Sequence, residues 1–308
     1  MTQKLKLGTR GSPLALAQAG IVREALQASG KGVEVEIIPI KTSGDWHPAA
    51  GEQTFLDAGA TKGLFTKEIE EALLRGTIDL AVHSMKDVSV WTPEGLAFGA
   101  FLRREDPRDA LITRTGCTLV DLPSGAIVGT ASLRRKAQLL IQRPDLRVVP
   151  LRGNVETRLQ KLAGGEAEAT LLAVAGLKRL GLLDRATAIL DPAAMLPAPA
   201  QGVLGIEIRA EDATTRALIA PLHDPVSAAA CEAERALLRA LDGSCRTPIA
   251  ALAQGEGDRL TLDALAARSD GSFFVRLSEQ GPVAEAAAIG LELGARIRAK
   301  LPADFRLV

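Results

Sequence analysis

Arginines gather at two points of this chain. Arg134 and Arg135 follow Gly129-Thr130-Ala131-Ser132-Leu133, and Arg152 and Arg158 flank Gly153-Asn154. Each cluster stands where an apolar run ends and a helical pattern begins. Backbone N–H groups and the helix dipole there favour an anion. Guanidinium forks grip carboxylates bidentately, and several forks in one place repel one another unless an anion lies between them. The pattern predicts a ligand with several carboxylates or phosphates. Any single arginine of the set also reads as a solvated or acid-paired surface charge. Lys+Arg and Asp+Glu each number 37, so the recognition is local and not the property of a basic surface.

Asp87, in Asp79-Leu80-Ala81-Val82-His83-Ser84-Met85-Lys86-Asp87-Val88, is the candidate for acid/base work. A carboxylate at a strand end beside Lys86 can stay ionised, stabilise a developing cation, or pass a proton to a leaving group. The plainer reading, an ordinary turn aspartate, stays open. His83 follows an apolar strand and reads as a structural histidine rather than a base or ligand. His47 and His223 are isolated, and the histidines and cysteines have no zinc-like spacing, so no metal is expected. Cys245 lies on the Gly-containing loop Asp242-Gly243-Ser244-Cys245-Arg246, where exposure and a neighbouring guanidinium raise the thiolate fraction. An inert loop cysteine is the alternative. Gly8-x-x-Gly11-Ser12 is neither a dinucleotide fingerprint nor a phosphate-binding P-loop.

These residues sit on an alternation of strand-like and helical segments, the signature of βαβ units and largely parallel sheets. Leu5–Leu7 reads as a strand, Ser12 as an N-cap with Pro13 at the first helical position, and Leu14, Ala17, Ile21 and Ala25 as a helix ending at Gly30. Val33–Ile37 alternates as a strand, residues 46–61 show no period, Leu64–Leu74 is helical, and Ile78–Val82 is a buried strand. A second set follows: strands at Ala110–Ile112, Ile127–Val128, Leu146–Val149 and Leu171–Val174, with helices from Ser132 and Val155. Prolines 192, 197 and 199 mark a rigid crossing, and Pro221 with Pro225 a boundary. Beyond it come a helix at Ala228–Leu241, short strands, and a last helix around Leu291–Ala299. The polar turns all follow strands, the edge at which open α/β sheets bind ligands, so they are expected to converge on one cleft between two lobes.

A chain of 308 residues exceeds a single core, and two or three domains are expected. No signal peptide opens it, no stretch is long and apolar enough for a membrane span, and three cysteines form no disulfide framework, which together predict a cytoplasmic protein. Few aromatics and no tyrosine leave little for stacking nucleic-acid bases.

Taken together, the chain resembles the porphobilinogen deaminase (hydroxymethylbilane synthase) family. The resemblance rests on Leu7-Gly8-Thr9-Arg10-Gly11-Ser12-Pro13-Leu14-Ala15, Gly63-Leu64-Phe65-Thr66-Lys67-Glu68, Ala81 to Val88, and Arg104-Glu105-Asp106-Pro107-Arg108-Asp109-Ala110. It continues through Gly129 to Arg135, Leu151-Arg152-Gly153-Asn154-Val155, Leu172 to Gly181, Pro199-Ala200-Gln201-Gly202, and Gly243-Ser244-Cys245. The blocks run in order along nearly the whole chain.

The resemblance implies a transferase of tetrapyrrole synthesis. Such an enzyme joins four porphobilinogen molecules head to tail with loss of ammonia and frees hydroxymethylbilane by hydrolysis. It implies a covalent dipyrromethane cofactor, built from two substrate units and held by a thioether to Cys245. Asp87 would act at the pyrrole nitrogens, assisting deamination and stabilising the azafulvene cation. Ser84, Lys86, Asp87, Thr130, Ser132, Arg134, Arg135 and Arg158 would hold the cofactor. Arg10, Ser12, Phe65, Arg152, Arg158 and Arg179 would serve the substrate and growing chain. The implied fold is α/β: two similar doubly wound lobes, resembling type II periplasmic binding proteins, with a small C-terminal α+β domain. The implied division is 1–102 with 201–220 as the first lobe, 103–200 as the second, and 221–308 as the domain with the cofactor cysteine. A monomer is implied, with no nucleic-acid or membrane partner. The stretch Trp46 to Thr61 departs from the family pattern, notably at Ala58 before Lys62, and Ser89 and Ala131 replace a usual proline and serine. The competing reading is a non-catalytic two-lobed binding protein for a polycarboxylate ligand, which leaves Asp87 and Cys245 unexplained.

Overall fold

The computed structural model describes residues 3–43, 66–244 and 247–305. The chain forms two compact units, one of residues 1–103 and 204–225 and the other of residues 104–203 and 226–308.

In the first unit, β1 (Gln3–Arg10) runs parallel to β2 (Val33–Ile40) and β3 (Leu80–Ser84). β4 (Leu96–Phe101) lies at the far edge, and β10 (Leu204–Arg209) enters between β3 and β4, antiparallel to both. The chain therefore leaves this unit and returns to complete its sheet. Helix α1 (Pro13–Ala28) begins where Ser12 accepts a hydrogen bond from the Ala15 N–H, with Pro13 at its first position as expected. It packs Ala19, Val22 and Leu26 against Leu5, Leu7, Val82 and Ile206. Helix α2 (Lys67–Leu74) covers the opposite face with Ile69, Ala72 and Leu73. The helix expected from Leu64 is described only from Lys67, since 64 and 65 lie outside the described residues, as does all of 46–61.

The second unit holds two sheets among its described residues. One has the order β7-β6-β8-β5-β9: β5 (Asp109–Thr113), β6 (Ile127–Gly129), β7 (Arg147–Val149), β8 (Ala169–Ala173) and β9 (Ala188–Ile189). β6 is parallel to β7 and β8, whereas β5 is antiparallel to β8 and β9. Helices α3 (Leu133–Gln142), α4 (Val155–Ala163) and α5 (Val174–Arg179) follow β6, β7 and β8. After the crossing, α6 (Ala213–Ile219) belongs to the first unit.

The remaining elements are α7 (Pro225–Ala240), the antiparallel sheet of β11 (Ile249–Glu256), β12 (Arg259–Ala267) and β13 (Phe274–Pro282), and α8 (Ala286–Arg298). Ala137 of α3 and Leu196 share a core with Ala250, Leu252 and Leu265, so this sheet and the five-stranded one belong to one compact unit. Helix α8 starts five residues before the expected Leu291, because Ala286-Ala287-Ala288 has high helix propensity but no apolar period to reveal it. Strand β10 reads poorly from sequence because it is buried on both faces, with Glu207 imitating the polar side of an alternation.

Candidate active site

In the first unit the turns after β1 and β3 line a cavity of about 60 Å³, with Thr9, Arg10, Ser12, Gln18, Ser84 and Asp87 among its walls. Arg10 is half-buried, and Ser12 both faces the cavity and caps α1. Gln18 escaped the sequence reading: it is buried on the apolar face of α1, and its Nε2 donates to Ser84 Oγ at 2.8 Å. A glutamine between the core positions Ala15 and Val22 was the available signal.

β3 ends at Ser84 and passes into a single 3-10 turn, Met85–Asp87. Met85 is buried, whereas Lys86 is half-buried and Asp87 exposed. The turn can sit this close to β10 because residue 205 is glycine; a Cβ there would lie 2.3 Å from Met85 Sδ. The Asp87 carboxylate has no hydrogen bond or ion pair to another described residue. His83 is a satisfied buried histidine as expected, its Nε2 lying 3.1 Å from Glu207 Oε2.

The second unit repeats the strand, turn and capped helix. Thr130 is buried and accepts from the Ser132 N–H at 3.2 Å, and Ser132 accepts from the Arg135 N–H at the start of α3. Arg134 and Arg135 are only 4% and 5% exposed, and both point at Asp109 of β5, which is fully buried. Arg134 Nη1 donates to Asp109 Oδ2 at 2.8 Å and to the Leu196 carbonyl at 2.7 Å. Arg135 holds both carboxylate oxygens, Nε to Oδ2 at 3.2 Å and Nη2 to Oδ1 at 2.7 Å, while Nη1 donates to Leu171 O. Gln201 Nε2 adds a hydrogen bond to Oδ1 at 2.8 Å.

Burial alone would raise the Asp109 carboxyl, but the two guanidiniums hold it far below the ordinary carboxylate range. The anion that the arginine pattern demands is thus supplied in part by the chain itself. Contrary to the expectation from the sequence, no external ligand is needed to relieve the repulsion between Arg134 and Arg135, because Asp109 lies between them. Two guanidiniums still face one carboxylate, and Arg134 Nε is buried with no hydrogen-bond partner among the described residues.

Elsewhere in this unit Asn154 caps α4, accepting from the Thr157 N–H at 2.8 Å. Arg158 Nε donates to the Gly153 carbonyl at 2.8 Å, and Arg152 is exposed. Arg179, near the end of α5, donates to the Gly202 carbonyl at 2.7 Å. Burial draws its guanidinium down to about 10, Glu105 opposing the fall, and it remains charged at neutral pH. Gly202 has φ +92°, and a Cβ there would lie 2.3 Å from the Glu105 carbonyl oxygen, so only glycine serves at that bend.

Cys245 and Phe65 lie outside the described residues. Next to Cys245, the Ser244 N–H donates to Thr247 Oγ1 at 3.1 Å and Thr247 Oγ1 donates back to Ser244 O at 2.7 Å. Cys231 is buried and its thiol is pushed up to about 12 by burial, which removes it as a nucleophile. No group of side chains suited to a metal ion occurs among the described residues, and no helix among them is long and apolar enough to cross a membrane.

Two family models match the chain in succession: porphobilinogen deaminase, dipyromethane cofactor binding domain, over residues 5–217, and porphobilinogen deaminase, C-terminal domain, over residues 228–299. A porphobilinogen deaminase of Paracoccus denitrificans is 50% identical over 303 residues, covering 98% of this chain and 96% of its own length. That of Syntrophobacter fumaroxidans is 49% identical over 294 residues, 94% and 93% of the two chains. Among solved structures, the BenM effector binding domain with benzoate aligns over 71% of this chain and 90% of its own, at 15% identity and a TM-score of 0.42. The Bordetella pertussis BvgS VFT2 domain aligns over 70% and 84%, at 16% identity and a TM-score of 0.41. With both family models matched in order and relatives half identical over almost its full length, the chain belongs to the porphobilinogen deaminase family.

Proposed function

We propose that this protein joins four porphobilinogen molecules head to tail into hydroxymethylbilane, releasing ammonia at each addition, on a dipyrromethane primer carried by Cys245. The observation that carries the reading is the ordered match of the cofactor-binding and C-terminal family models on one chain. A non-catalytic binding protein is not favoured, because relatives half identical to the chain are named as the deaminase.

The chain's own residues fit a group bearing acetate and propionate side chains. Two buried guanidiniums balanced by one carboxylate leave a surplus positive charge, and the unpartnered Nε of Arg134 is a donor in need of an acceptor. Arg134, Arg135, Thr130, Ser132, Arg158, Ser84 and Lys86 are the proposed contacts of those carboxylates. When bound, the dipyrromethane group supplies the pyrrole carbon to which the first unit is added.

Porphobilinogen brings its own acetate and propionate, for which Arg10, Ser12, Phe65, Arg152, Arg158 and Arg179 are the proposed contacts. As its ammonia leaves, positive charge spreads to the pyrrole nitrogen. The Asp87 carboxylate, exposed and without a side-chain partner among the described residues, can accept that N–H and stabilise the charge. The same carboxylate can hold the proton lost from the attacked ring carbon.

The proposed working division follows the sequence reading: a discontinuous first lobe of 1–102 with 201–220, a second lobe of 103–200, and a C-terminal domain of 221–308. The proposed setting is a cytoplasmic monomer. Intact mass with a peptide map around Cys245 tests the reading. An added mass of two linked pyrrole units on Cys245, with turnover of porphobilinogen, is the expected result. A Cys245 that stays unmodified after incubation with porphobilinogen would refute it.

A further inference from the structure

Beside the Asp87 turn, the first unit buries an ionisable pair that the proposed reaction leaves unused. His83 Nε2 lies 3.1 Å from Glu207 Oε2, and the two side chains are 5% and 1% exposed. In the antiparallel register His83 stands opposite Gly205 and Glu207 opposite Ala81, so the contact is a diagonal between β3 and β10. Phe98 of β4 meets the imidazole edge-on, with ring centroids 6.2 Å apart, and confines it. Glu207 Oε1 is buried with no hydrogen-bond partner among the described residues. Such a pair is a poor way to stabilise a sheet, because two apolar side chains of similar volume would avoid the desolvation of its polar groups.

The turn that follows explains what a directional contact can do here. The Asp87 carboxylate has no side-chain partner among the described residues, so its location is inherited from the Met85–Asp87 backbone. Besides the main-chain ladder that pairs Leu204 with Ser84 and Gly205 with His83, side-chain contacts hold this stretch to its surroundings. Ser84 is bonded by Gln18 at 2.8 Å, Met85 rests on Gly205, and His83 is bonded to Glu207. The first is a neutral hydrogen bond and the second apolar packing. The third is a hydrogen bond between ionisable groups, whose direction is fixed by the ring. Glu70 of α2 contributes to the same surroundings: burial raises its carboxyl above the ordinary range, and the nearby Glu207 pushes it the same way.

We propose that the His83–Glu207 hydrogen bond is a positioning element for Asp87, tying the end of β3 to β10 so that the turn presents the carboxylate in one place during turnover. His83 is a positioning residue and acts through the turn; the inference rests on the function proposed above.

A pair of variants separates this role from simple support of the fold. His83→Leu with Glu207→Met removes both polar groups together and is expected to leave a folded protein, loaded at Cys245, melting no lower than a few degrees below the wild type. Its kcat per loaded molecule should fall tenfold or more while KM stays within twofold. His83→Gln, which keeps a donor toward Glu207, should stay within threefold of the wild-type kcat. A doubly apolar variant with kcat within twofold of wild type would overturn the proposal, as would a His83→Gln protein as impaired as the double variant. If the double variant does not fold, Glu207→Gln against Glu207→Leu makes the same comparison, and equal kcat in those two overturns it. Wild-type protein that loads no pyrrole on Cys245 would instead refute the functional reading.

Discussion

The two five-stranded sheets are built alike and charged differently. In each, three parallel strands are followed by a fourth that runs antiparallel, β10 in one and β5 in the other, and each of these carries a buried carboxylate. Glu207 on β10 faces one imidazole from the neighbouring strand, whereas Asp109 on β5 faces two guanidiniums from a helix. The first arrangement leads to a turn with an exposed acid, Asp87; the second leaves surplus positive charge around Arg134. A common backbone plan thus yields a turn with an exposed carboxylate in one unit and, in the other, a helix start whose two arginines hold a buried carboxylate. The partner of the buried carboxylate separates them: one imidazole in the first unit, two guanidiniums in the second.

The sharpest way to break this comparison is Asp109→Asn. Two buried guanidiniums would lose their counter-ion, and urea unfolding should show a loss of roughly 3–5 kcal/mol. The Asp109 carboxyl titrates far below the ordinary carboxylate range when folded. Its contribution is therefore complete above about pH 4, the unfolded value, and is lost only as acid reaches the lower folded value. The gap between wild type and variant should be full from pH 5 to 7; a gap already closed at pH 5 would mean that the pair does not hold the carboxylate.

Arg134→Leu comes next. Asp109 keeps Arg135, so the expected loss in stability is about 1.5–3 kcal/mol. The informative readout is the mass at Cys245, where loading should be impaired; normal loading would place the cofactor's carboxylate contacts elsewhere.

Asp87→Ala is the opposite case, an exposed side chain without partners among the described residues. Its unfolding free energy in urea should change by no more than about 0.5 kcal/mol. Turnover should fall at least tenfold, about 1.4 kcal/mol of barrier. A smaller fall removes Asp87 from the reaction.

The smallest effect concerns the shared capping serines. Ser12→Ala and Ser132→Ala should each lower stability by about 1 kcal/mol, since each hydroxyl caps one helix. Unequal losses in differential scanning would show that the two turns are not the same device.

Much of this was legible in the residues. Ser12-Pro13 announced α1 and Ser132 announced α3, because a capping hydroxyl and a ring-fixed φ act within a few residues of chain. The turn after β3 stood out for the same reason. Gln18 and Asp109 were missed as members of the site. Each is a polar residue at a position whose spacing reads as core, and its partner lies 66 residues away for Gln18 and 25 or 26 for Asp109. Strand β10 was hidden by burial on both faces, and the start of α8 by alanines that favour helix without marking a face.

By itself the sequence determined the local elements, the family and the residue types at each turn, because caps, breakers and periodicity operate over one or two turns of chain. Only the tertiary structure decided which charges meet. That Arg134 and Arg135 share Asp109, that His83 answers Glu207, and that Asp87 is left unpaired among the described residues all depend on strands brought together from distant parts of the chain. A charge declares its sign in the sequence, but its partner, its solvation and hence its chemistry are set by the neighbours that folding supplies.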